Sequence, residues 1–343
     1  MIEAVLDALL EPALLLGANG RVVVANGAAQ DRLGVWVVGR SYVSVLRQPS
    51  LLGPVEDAFA DGKPGRARFT HSSGEVETLY DVRVSPLPPR DGFRQVLLVF
   101  RDVSELRAGE SMRRDFVANV SHELKTPLTA ILGFIETLQG PARDDPKGRA
   151  RFLSLMAHEA ARMNRLVSDL LSLSRLEGQS RRRPTDRLDL MVVLGEAVDP
   201  LRPGAEAEGV TFDLRGPDAA RLPGDRDQLI QVFSNLLENA TKYGARPGVV
   251  EIVVDRIERE PVIRGPAWRA VVSDQGPGIP PEHIPRVTER FYRVDTGRSR
   301  ATGGTGLGLA IVKHIVARHR GRLRIESDSG RGTQVTVTLP AET

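Results

Sequence analysis

Residues 116 to 128 read Phe-Val-Ala-Asn-Val-Ser-His-Glu-Leu-Lys-Thr-Pro-Leu, and this stretch sets the fold expected for the middle of the chain. Apolar residues recur every three or four positions from Phe116 to Leu138, which predicts a long amphipathic helix with one buried stripe. His122 lies off that stripe. Glu123 could accept the proton of one imidazole nitrogen and leave the other nitrogen free as a nucleophile. Taken alone, the pattern is equally typical of a surface histidine on an ordinary helix.

Two further residues of this stretch, Thr126 and Pro127, predict local features of the helix. Thr126 lies four positions after His122, so the two residues share a helix face. Pro127 has no N–H group to bond to the Glu123 carbonyl, which predicts a kink one turn beyond the histidine. The C-terminal third of the chain decides how this helix is interpreted.

Length and composition predict a globular protein of two or three domains. The chain has 343 residues, of which 41% are hydrophobic and 27% are charged. It contains no cysteine, which excludes structural disulfides and thiolate metal sites. No apolar run reaches the roughly 18 residues of a membrane span, and the segment from Val5 to Leu16 has no basic leader. We therefore predict a cytoplasmic protein, which would associate with a membrane only through a partner or as part of a longer chain.

The charge balance gives little support for a nucleic-acid partner. The formal net charge is +3. Arginines cluster at 181–183 and 298–300, but both clusters are short and lack interleaved aromatic residues. Solvated loops are the simpler interpretation, and no direct contact with nucleic acid is predicted.

Residues 1–105 are predicted to form a small α+β module. Four strand-like segments alternate with turn sequences, at 21–25, 67–70, 76–84 and 96–103. Asn26 can cap a short helix that follows the first of them. Antiparallel strands with short helices on one side would form a cup. Such a cup could hold a ligand or be filled by its own side chains, and the sequence favours neither interpretation.

Residues 106–180 are predicted to form two amphipathic helices joined by a loop of glycine, proline and aspartate near 140–146. A single hairpin of two helices cannot cover its own apolar stripe. We therefore expect a homodimer through this region, in which two hairpins form a four-helix bundle. The leucines and methionines of the second helix are interpreted as the bundle core, and residues 178–184 as a polar linker.

Beyond the linker, the chain carries three motifs, of which the first is a helix beginning at the capping residue Asp225. Asn235 and Asn239 are four positions apart and project from one face of it. Their amide oxygens could ligate a Mg²⁺ ion that bridges nucleotide phosphates. Lys242 could contact the same phosphates, and Tyr243 could pack beside the base.

The other two motifs suit the remaining parts of a nucleotide. Asp274 follows a predicted strand and could accept a hydrogen bond from the exocyclic amine of adenine, while Gly276 and Gly278 would let the backbone approach a flat base. The third motif is a glycine-rich loop that opens a helix and points unpaired amides at phosphate. Its residues are Gly304, Thr305, Gly306, Leu307 and Gly308. Three motifs in this order predict a site for ATP and Mg²⁺.

Taken together, these motifs make the chain similar to the sensor histidine kinases of two-component systems. The resemblance implies a multidomain α+β protein with three parts. These are a PAS-like sensor cup at 1–105, a dimerisation and histidine-phosphotransfer hairpin at 106–180, and an α/β sandwich ATP-binding domain of the gyrase and histidine kinase type at 185–341. Residues 121–128 match the phosphoacceptor motif of the family, and residues 290–295 resemble its lid segment.

The resemblance implies a role for each candidate catalytic residue. His122 would attack the γ-phosphate with Glu123 as its base, and Arg293 would stabilise charge on the transferring phosphoryl group. Asn239 would hold magnesium, and Asp274 would bind adenine. The phosphoryl group would then pass to an aspartate of a cognate response regulator.

The resemblance also implies a phosphatase activity, and it places the chain near one subgroup of the family. Thr126 could orient a water molecule toward the aspartyl phosphate of a docked regulator, or it could merely bond to the nearby backbone.

The sequences at 116–123 and 288–295 are most similar to those of phosphate-regulon sensor kinases. Val287 and Thr288 depart from the family pattern, in which phenylalanine follows an apolar residue, so the packing of the lid is an open point.

Three other functions use parts of the same pattern. A gyrase-type ATPase shares the nucleotide fold, but it has a carboxylate where this chain has Asn235, and an amide cannot act as a general base. A serine kinase of the same fold would lack the His122 motif. A non-catalytic ATP-binding scaffold would not need an intact His122 and both glycine motifs. We therefore expect none of these three.

Overall fold

The computed structural model describes residues 2–73, 76–89, 93–143, 145–179, 183–294 and 304–342. The chain divides into two compact units, Met1–Ala118 and Asn119–Thr343. Residues 180–182 of the predicted linker, residue 295 of the predicted lid segment and the arginines at 298–300 lie outside the described residues.

The first unit is built on a five-stranded antiparallel sheet. Its strands are β1 (Ala13–Leu16), β2 (Val22–Ala25), β3 (Gly65–Ser73), β4 (Val76–Pro86) and β5 (Val96–Asp102), in the spatial order β2-β1-β5-β4-β3. The α-helices described in this unit before its last strand are α1 (Ile2–Asp7), α2 (Gly27–Leu33), α3 (Tyr42–Leu46) and α4 (Pro49–Ala60). The four predicted strands and the helix after Asn26 are confirmed. Strand β1 was not predicted, because all four of its residues are buried and it shows no alternation of apolar and polar residues.

The inner face of this sheet is packed with side chains of the unit itself. Buried and partly buried residues alternate along β5, as expected for a sheet with one covered face. Phe100 makes edge-to-face contacts with Phe69 and Tyr80, at ring-centroid separations of 5.6 and 6.0 Å. Of the two interpretations of the cup, a packed core is the one that accounts for these residues.

A single buried asparagine ties three elements of this unit together. Asn26 is fully buried, and its side-chain oxygen accepts hydrogen bonds from the backbone N–H groups of Ala13 at 2.8 Å and Ala29 at 3.0 Å. Its amide nitrogen donates to the carbonyls of Leu6 and Glu11, each at 3.0 Å. The residue predicted to cap α2 therefore also fixes α1 and the start of β1.

Asn26→Ala should loosen this part of the unit, because it leaves buried backbone groups without partners, each costing roughly 1 to 3 kcal/mol. Hydrogen–deuterium exchange followed by mass spectrometry should show faster exchange in peptides from 6–33 and unchanged exchange in 210–255. Asn19→Ala is the matched control, because Asn19 is exposed and its side chain accepts a local bond from the N–H of Arg21. Unchanged exchange in Asn26→Ala would contradict the proposed role.

Two long helices form a hairpin. These are α5 (Ser104–Gln139) and α6 (Pro146–Gln179), and the rings of Phe134 and Phe152 pack between them at a centroid separation of 5.7 Å. Helix α5 is continuous through Pro127, which is buried, so the proline does not end the helix. Neither of these helices, nor any other helix among the described residues, is long and apolar enough to cross a membrane.

The remainder of the second unit is an α/β sandwich. Its strands are β6 (Asp186–Asp189), β7 (Val210–Arg215), β8 (Arg221–Gly224), β9 (Gly248–Glu260), β10 (Gly265–Asp274), β11 (Arg322–Asp328) and β12 (Gly332–Pro340). Five of them form a sheet in the order β11-β12-β10-β9-β7, in which β7 and β9 pair in parallel, and β6 pairs with β8 separately. The helices described here are α7 (Leu190–Val198), α8 (Arg202–Ala207), α9 (Arg226–Tyr243) and α10 (Gly308–Arg318).

One face of the five-stranded sheet is covered by helices. Along β9, Val250 and Ile252 are buried whereas Val249 and Val253 are exposed, so alternate residues face the helices and the solvent. Helix α9 packs against α7 and α10. The predicted buried side of α9 is confirmed: Leu229, Val232, Phe233, Leu236 and Leu237.

Candidate functional site

The first and third nucleotide motifs meet at helix α9. Asp225 caps this helix as predicted, because its side chain accepts a hydrogen bond from the N–H of Gln228 at 3.1 Å. Asn235 and Asn239 are both partly buried, one turn apart. A Cβ placed on Gly308 would lie 3.3 Å from the side-chain oxygen of Asn235. The side chain of Asn235 therefore faces the start of α10.

A buried histidine that the sequence reasoning missed fixes α9 from the other side. His319 follows α10 and is 1% exposed. Its Nε2 accepts a hydrogen bond from the N–H of Asp225 at 3.0 Å, and its Nδ1 donates to the Ile315 carbonyl at 2.8 Å. Burial lowers the pKa of His319, which favours the neutral ring that these two bonds require. A lone histidine after a helix belongs to no motif, so no pattern of residues could have predicted this contact.

Asp274 ends strand β10, as predicted. Its Oδ1 accepts a hydrogen bond from the N–H of Gly276 at 2.8 Å, and burial raises the pKa of its carboxyl group. A Cβ on Gly276 would lie 2.3 Å from the Tyr243 carbonyl oxygen, and one on Gly278 would lie 2.1 Å from the Asp328 carbonyl oxygen. Neighbouring backbone therefore already requires both glycines, which is a different reason from the predicted approach to a base. The same packing brings the second motif next to Tyr243 at the end of α9.

The glycine-rich loop leads into α10 as predicted, and its residues are Gly304, Thr305, Gly306, Leu307 and Gly308. Gly306 has a φ of +71°, and its carbonyl accepts a hydrogen bond from the N–H of Phe291 at 2.9 Å. The hydroxyl of Thr305 accepts from the N–H of Leu307 at 3.3 Å and donates to Asp169 Oδ2 on α6 at 2.7 Å. The loop thus contacts both the lid segment and the histidine hairpin.

The segment that leads into the lid is anchored by side-chain contacts. The Nδ1 atom of His283 and the hydroxyl of Tyr292 are 2.6 Å apart. Val287 is buried, and the hydroxyl of Thr288 accepts from the Lys313 ammonium group at 3.5 Å. The departure from the family pattern at 287–288 therefore leaves this segment packed.

Glu123 lies between two arginines. Its Oε2 atom accepts hydrogen bonds from Arg162 Nη2 on α6 at 2.7 Å and from Arg293 Nη2 at 3.0 Å. The three side chains are 14%, 8% and 7% exposed, respectively. Among the residues that the structure describes, the buried Nε–H groups of both arginines have no hydrogen-bond partner. One carboxylate, that of the residue next to His122 in the chain, is thus shared by two guanidinium groups, and Arg162 Nη1 also lies 3.9 Å from Glu159 Oε2.

His122 itself is exposed on α5. The hydroxyl of Thr126 donates to the His122 carbonyl oxygen at 3.1 Å, which is the backbone bond that the simpler interpretation of Thr126 expected. The lone pairs of this hydroxyl can still accept a hydrogen bond. Thr129 makes an equivalent bond to the Lys125 carbonyl at 2.9 Å, one turn further along the helix.

Positive charge accumulates where α9 faces α6. The pKa of Lys242 is lowered to about 8, because burial disfavours its charged form and because Arg293, Arg165 and Arg162 are close to it. Such a cluster attracts a polyanion, since a bound negative charge relieves the repulsion among the cations.

The oxygen donors at this place fit a magnesium ion bound together with phosphates. The carboxyl groups of Glu238 and Asp169 both have their pKa raised by burial. Within the described residues, no group of three acidic, histidine or cysteine side chains could hold a metal by itself. Mg²⁺ in nucleotide sites takes only one or two protein oxygens and completes its shell with phosphate oxygens and water. The amide of Asn239 can supply such a ligand.

Two protein-family models match the chain. The model described as the His Kinase A (phospho-acceptor) domain matches residues 112–179. The model described as the histidine kinase-, DNA gyrase B- and HSP90-like ATPase matches residues 224–343. The first match includes His122 and Glu123, and the second includes all three nucleotide motifs.

Several curated proteins and solved structures are similar to this chain. The phosphate regulon sensor protein PhoR of Pseudomonas aeruginosa is 40% identical over 345 residues, covering 98% of this chain and 74% of that protein. The sensor-like histidine kinase SenX3 of Mycobacterium tuberculosis is 41% identical over 326 residues, covering 90% and 78%. The sensor protein kinase WalK of Staphylococcus aureus is 34% identical over 349 residues, covering 99% and 81%. The histidine kinase ThkA, solved in complex with the response regulator protein TrrA, shares the fold, with a TM-score of 0.54 and 22% identity over 99% of this chain and 98% of that chain.

Proposed function

The chain belongs to the sensor histidine kinase family and is a protein-histidine kinase that uses ATP, and from this premise we propose that it transfers the γ-phosphoryl group of ATP to His122. The observation that carries the proposal is the contact of Glu123 with Arg293. It joins the neighbour of the candidate acceptor to the lid of the ATP-binding domain at 3.0 Å. A site that contains both acceptor and nucleotide motifs can align the two reactants.

Each candidate catalytic residue has a part in the proposed transfer. An imidazole nitrogen of His122 attacks the γ-phosphorus, the bond from that phosphorus to the bridging oxygen breaks, and ADP leaves. Glu123 accepts the proton of the other ring nitrogen. Arg293 and Lys242 stabilise the negative charge of the transferring group.

The remaining candidate residues bind the nucleotide. Asp274 accepts a hydrogen bond from the adenine amine, Tyr243 packs beside the base, and the backbone amides of the loop at 304–308 face the phosphates. Asn239 ligates Mg²⁺ from helix α9, supported by Asn235 one turn earlier. When bound, the ion neutralises charge on the phosphates.

Labelled ATP tests this proposal. Purified protein incubated with γ-labelled ATP and Mg²⁺ should become labelled, and the label should be labile in acid and stable in base. The reason is that protonation of the second ring nitrogen turns a phosphorylated imidazole into a good leaving group. A label stable in acid, or release of free phosphate without any labelled protein, would contradict the proposal.

Two alternative functions fit the site less well. A gyrase-type ATPase needs a general base to activate water, and Asn235 is an amide. Glu238 is the nearest carboxyl group in sequence to Asn239, but adjacent residues of a helix project about 100° apart, so the Glu238 side chain does not share the direction of Asn239. A scaffold that only binds ATP would not need Glu123 paired to the lid.

The helical hairpin is proposed to form a homodimer through residues 106–180. Large apolar side chains on α5 and α6 are exposed in the single chain, among them Leu128, Leu132, Leu153, Val167 and Leu171. Packing two hairpins into a four-helix bundle would cover them. Sedimentation analysis should give twice the mass of one chain.

The partners and the signal are proposed by similarity. ThkA was solved with a response regulator, and we propose that this chain likewise passes its phosphoryl group to an aspartate of a cognate regulator. The likeness to PhoR supports a place in phosphate-regulon signalling. The strand order β2-β1-β5-β4-β3 in the first unit supports a PAS-type sensor module.

The pH dependence of nucleotide binding should report on Lys242. Its pKa is lowered to about 8, so the free protein loses this charge as the pH rises through that value. A bound triphosphate stabilises the charged form, so affinity for ATP should fall several-fold between about pH 7 and pH 9. Calorimetric titration would measure this. Lys242→Arg is the control, because arginine stays charged and should flatten the decline; an equal decline in both proteins would exclude Lys242 as its cause.

Thr126 is proposed to act in removal of phosphate from the regulator. Thr126→Ala should keep autophosphorylation and transfer, and should lose most of the stimulated decay of phosphorylated regulator, roughly tenfold or more. Thr129→Ala is the matched control, because Thr129 makes the same kind of backbone bond but lies one turn further from His122. If phosphorylated regulator decays equally fast with both variants and with the wild type, Thr126 has only its backbone role.

A further inference from the structure

Side-chain hydrogen bonds join the ATP-binding domain to the hairpin of its own chain. Arg293 in the lid segment donates to Glu123 on α5, 170 residues away in sequence. Thr305 in the phosphate loop donates to Asp169 on α6, 136 residues away. The two parts of the domain that enclose nucleotide phosphates therefore both face helices of the same chain.

The contact with α5 is the informative one. In a bundle of two hairpins, each α6 lies between its own α5 and the α5 of the partner. A domain docked on its own α6 could therefore face either acceptor histidine. Arg162 on α6 and Arg293 in the lid segment bind the same oxygen of Glu123, at 2.7 and 3.0 Å, so the lid faces the α5 that pairs with its own α6.

The contact of Glu123 with Arg162 and Arg293 is shielded from solvent. Arg162 and Arg293 are only 8% and 7% exposed. The pKa of Lys242 is lowered first by its burial and then by the closeness of both arginines and of Arg165. Six residues separate the end of α6 at Gln179 from the start of β6 at Asp186. Such a tether spans at most about 25 Å, which restricts the domain to the neighbourhood of its own hairpin.

We propose that the phosphoryl group passes from ATP to His122 within one chain, with Arg162 of α6 as the residue that positions Glu123 for the transfer. This inference rests on the proposed function. The γ-phosphorus bonds to an imidazole nitrogen of His122, its bond to the bridging oxygen breaks, and ADP leaves from the same chain. The proton of the other ring nitrogen goes to Glu123, which Arg162 orients.

Heterodimers with defined defects test the proposal. One chain carries His122→Gln and its partner carries Asn239→Asp, with two different affinity tags so that only the mixed dimer is purified. Transfer within a chain predicts no labelled protein, because neither chain has both an acceptor and a working nucleotide site. Transfer between chains predicts label on the Asn239→Asp chain, and that result would overturn the proposal.

A second heterodimer gives the opposite pattern and serves as the control. A wild-type chain is paired with a chain that carries both substitutions. Transfer within a chain predicts roughly half of the wild-type label, all of it on the wild-type chain, because one independent site is intact. Transfer between chains predicts none. If the wild-type homodimer itself is not labelled, the proposed function fails, and this outcome is distinct from either heterodimer result.

The absence of cysteine allows a readout that does not depend on activity. Glu123→Cys combined with Arg293→Cys introduces the only two thiols of the chain. A short bismaleimide should link them within one chain, which gives a product with the mass of a monomer on a denaturing gel. A product with the mass of a dimer would contradict the proposal.

Substitutions of Arg162 test its positioning role. Arg162→Lys should retain more label than Arg162→Ala, and Arg162→Ala should shift the pH profile of labelling. An unchanged pH profile in Arg162→Ala would limit Arg162 to a structural role.

Discussion

His122→Gln should abolish labelling of the protein by γ-labelled ATP, a loss of more than about a thousandfold, because it removes the nucleophile on which the covalent route depends. Glutamine is similar to histidine in size and is accommodated in helices. Since His122 is exposed, the substitution should leave the fold and the binding of ATP unchanged. The loss should therefore appear in transfer and not in affinity for the nucleotide.

His158→Gln is the matched control for this experiment. His158 is an exposed histidine on α6 of the same hairpin. Its substitution should leave labelling at the wild-type level, and the label in the wild type should be acid-labile. Full labelling of His122→Gln, or equal losses in both variants, would show that the acceptor lies elsewhere.

Local features of the structure could be predicted from the sequence. Periodic apolar residues predicted α5, α6 and the buried side of α9, because a helix repeats every 3.6 residues whatever its surroundings. The capping roles of Asn26 and Asp225 follow from the same kind of local rule. The order of the three nucleotide motifs could be read for the same reason, since each motif lies within a short stretch.

Contacts between distant residues could not be predicted in this way. Arg162 is 39 residues from Glu123 in sequence, and His319 is 94 residues from the Asp225 N–H group that it binds. A single sequence contains no information about which distant residues meet. An arginine on an amphipathic helix is usually solvated, so nothing marked Arg162 as a buried partner of a catalytic candidate.

The glycines of the second motif show how a residue type can be predicted for an incomplete reason. Gly276 and Gly278 were expected to admit a base, but the carbonyl oxygens of Tyr243 and Asp328 occupy the places that their Cβ atoms would need. This packing brings the end of α9 against the loop after β10. The two glycines are therefore needed for the packing of the elements around the site, whatever else they contact.

Asn239→Asp should prevent autophosphorylation by weakening the complex with Mg²⁺ and ATP. The substitution adds a negative charge beside a triphosphate, at a place where Glu238 and Asp169 already contribute carboxyl groups. Two unit charges about 4 Å apart repel by roughly 4 kcal/mol at an effective dielectric constant of 20. Half of that energy already corresponds to more than about a tenfold loss of affinity.

The same variant should separate nucleotide binding from the chemistry of the histidine. Asn239 is on α9, so the hairpin that carries His122 should stay folded and should still accept phosphate from a phosphorylated regulator. Asn119→Asp is the matched control, because it makes the same change of charge at an exposed position on α5. Calorimetric titration with ATP and Mg²⁺ should show weak binding only for Asn239→Asp. Normal affinity in that variant would place the metal elsewhere, and failure to accept phosphate from the regulator would show that the substitution disturbs more than the nucleotide site.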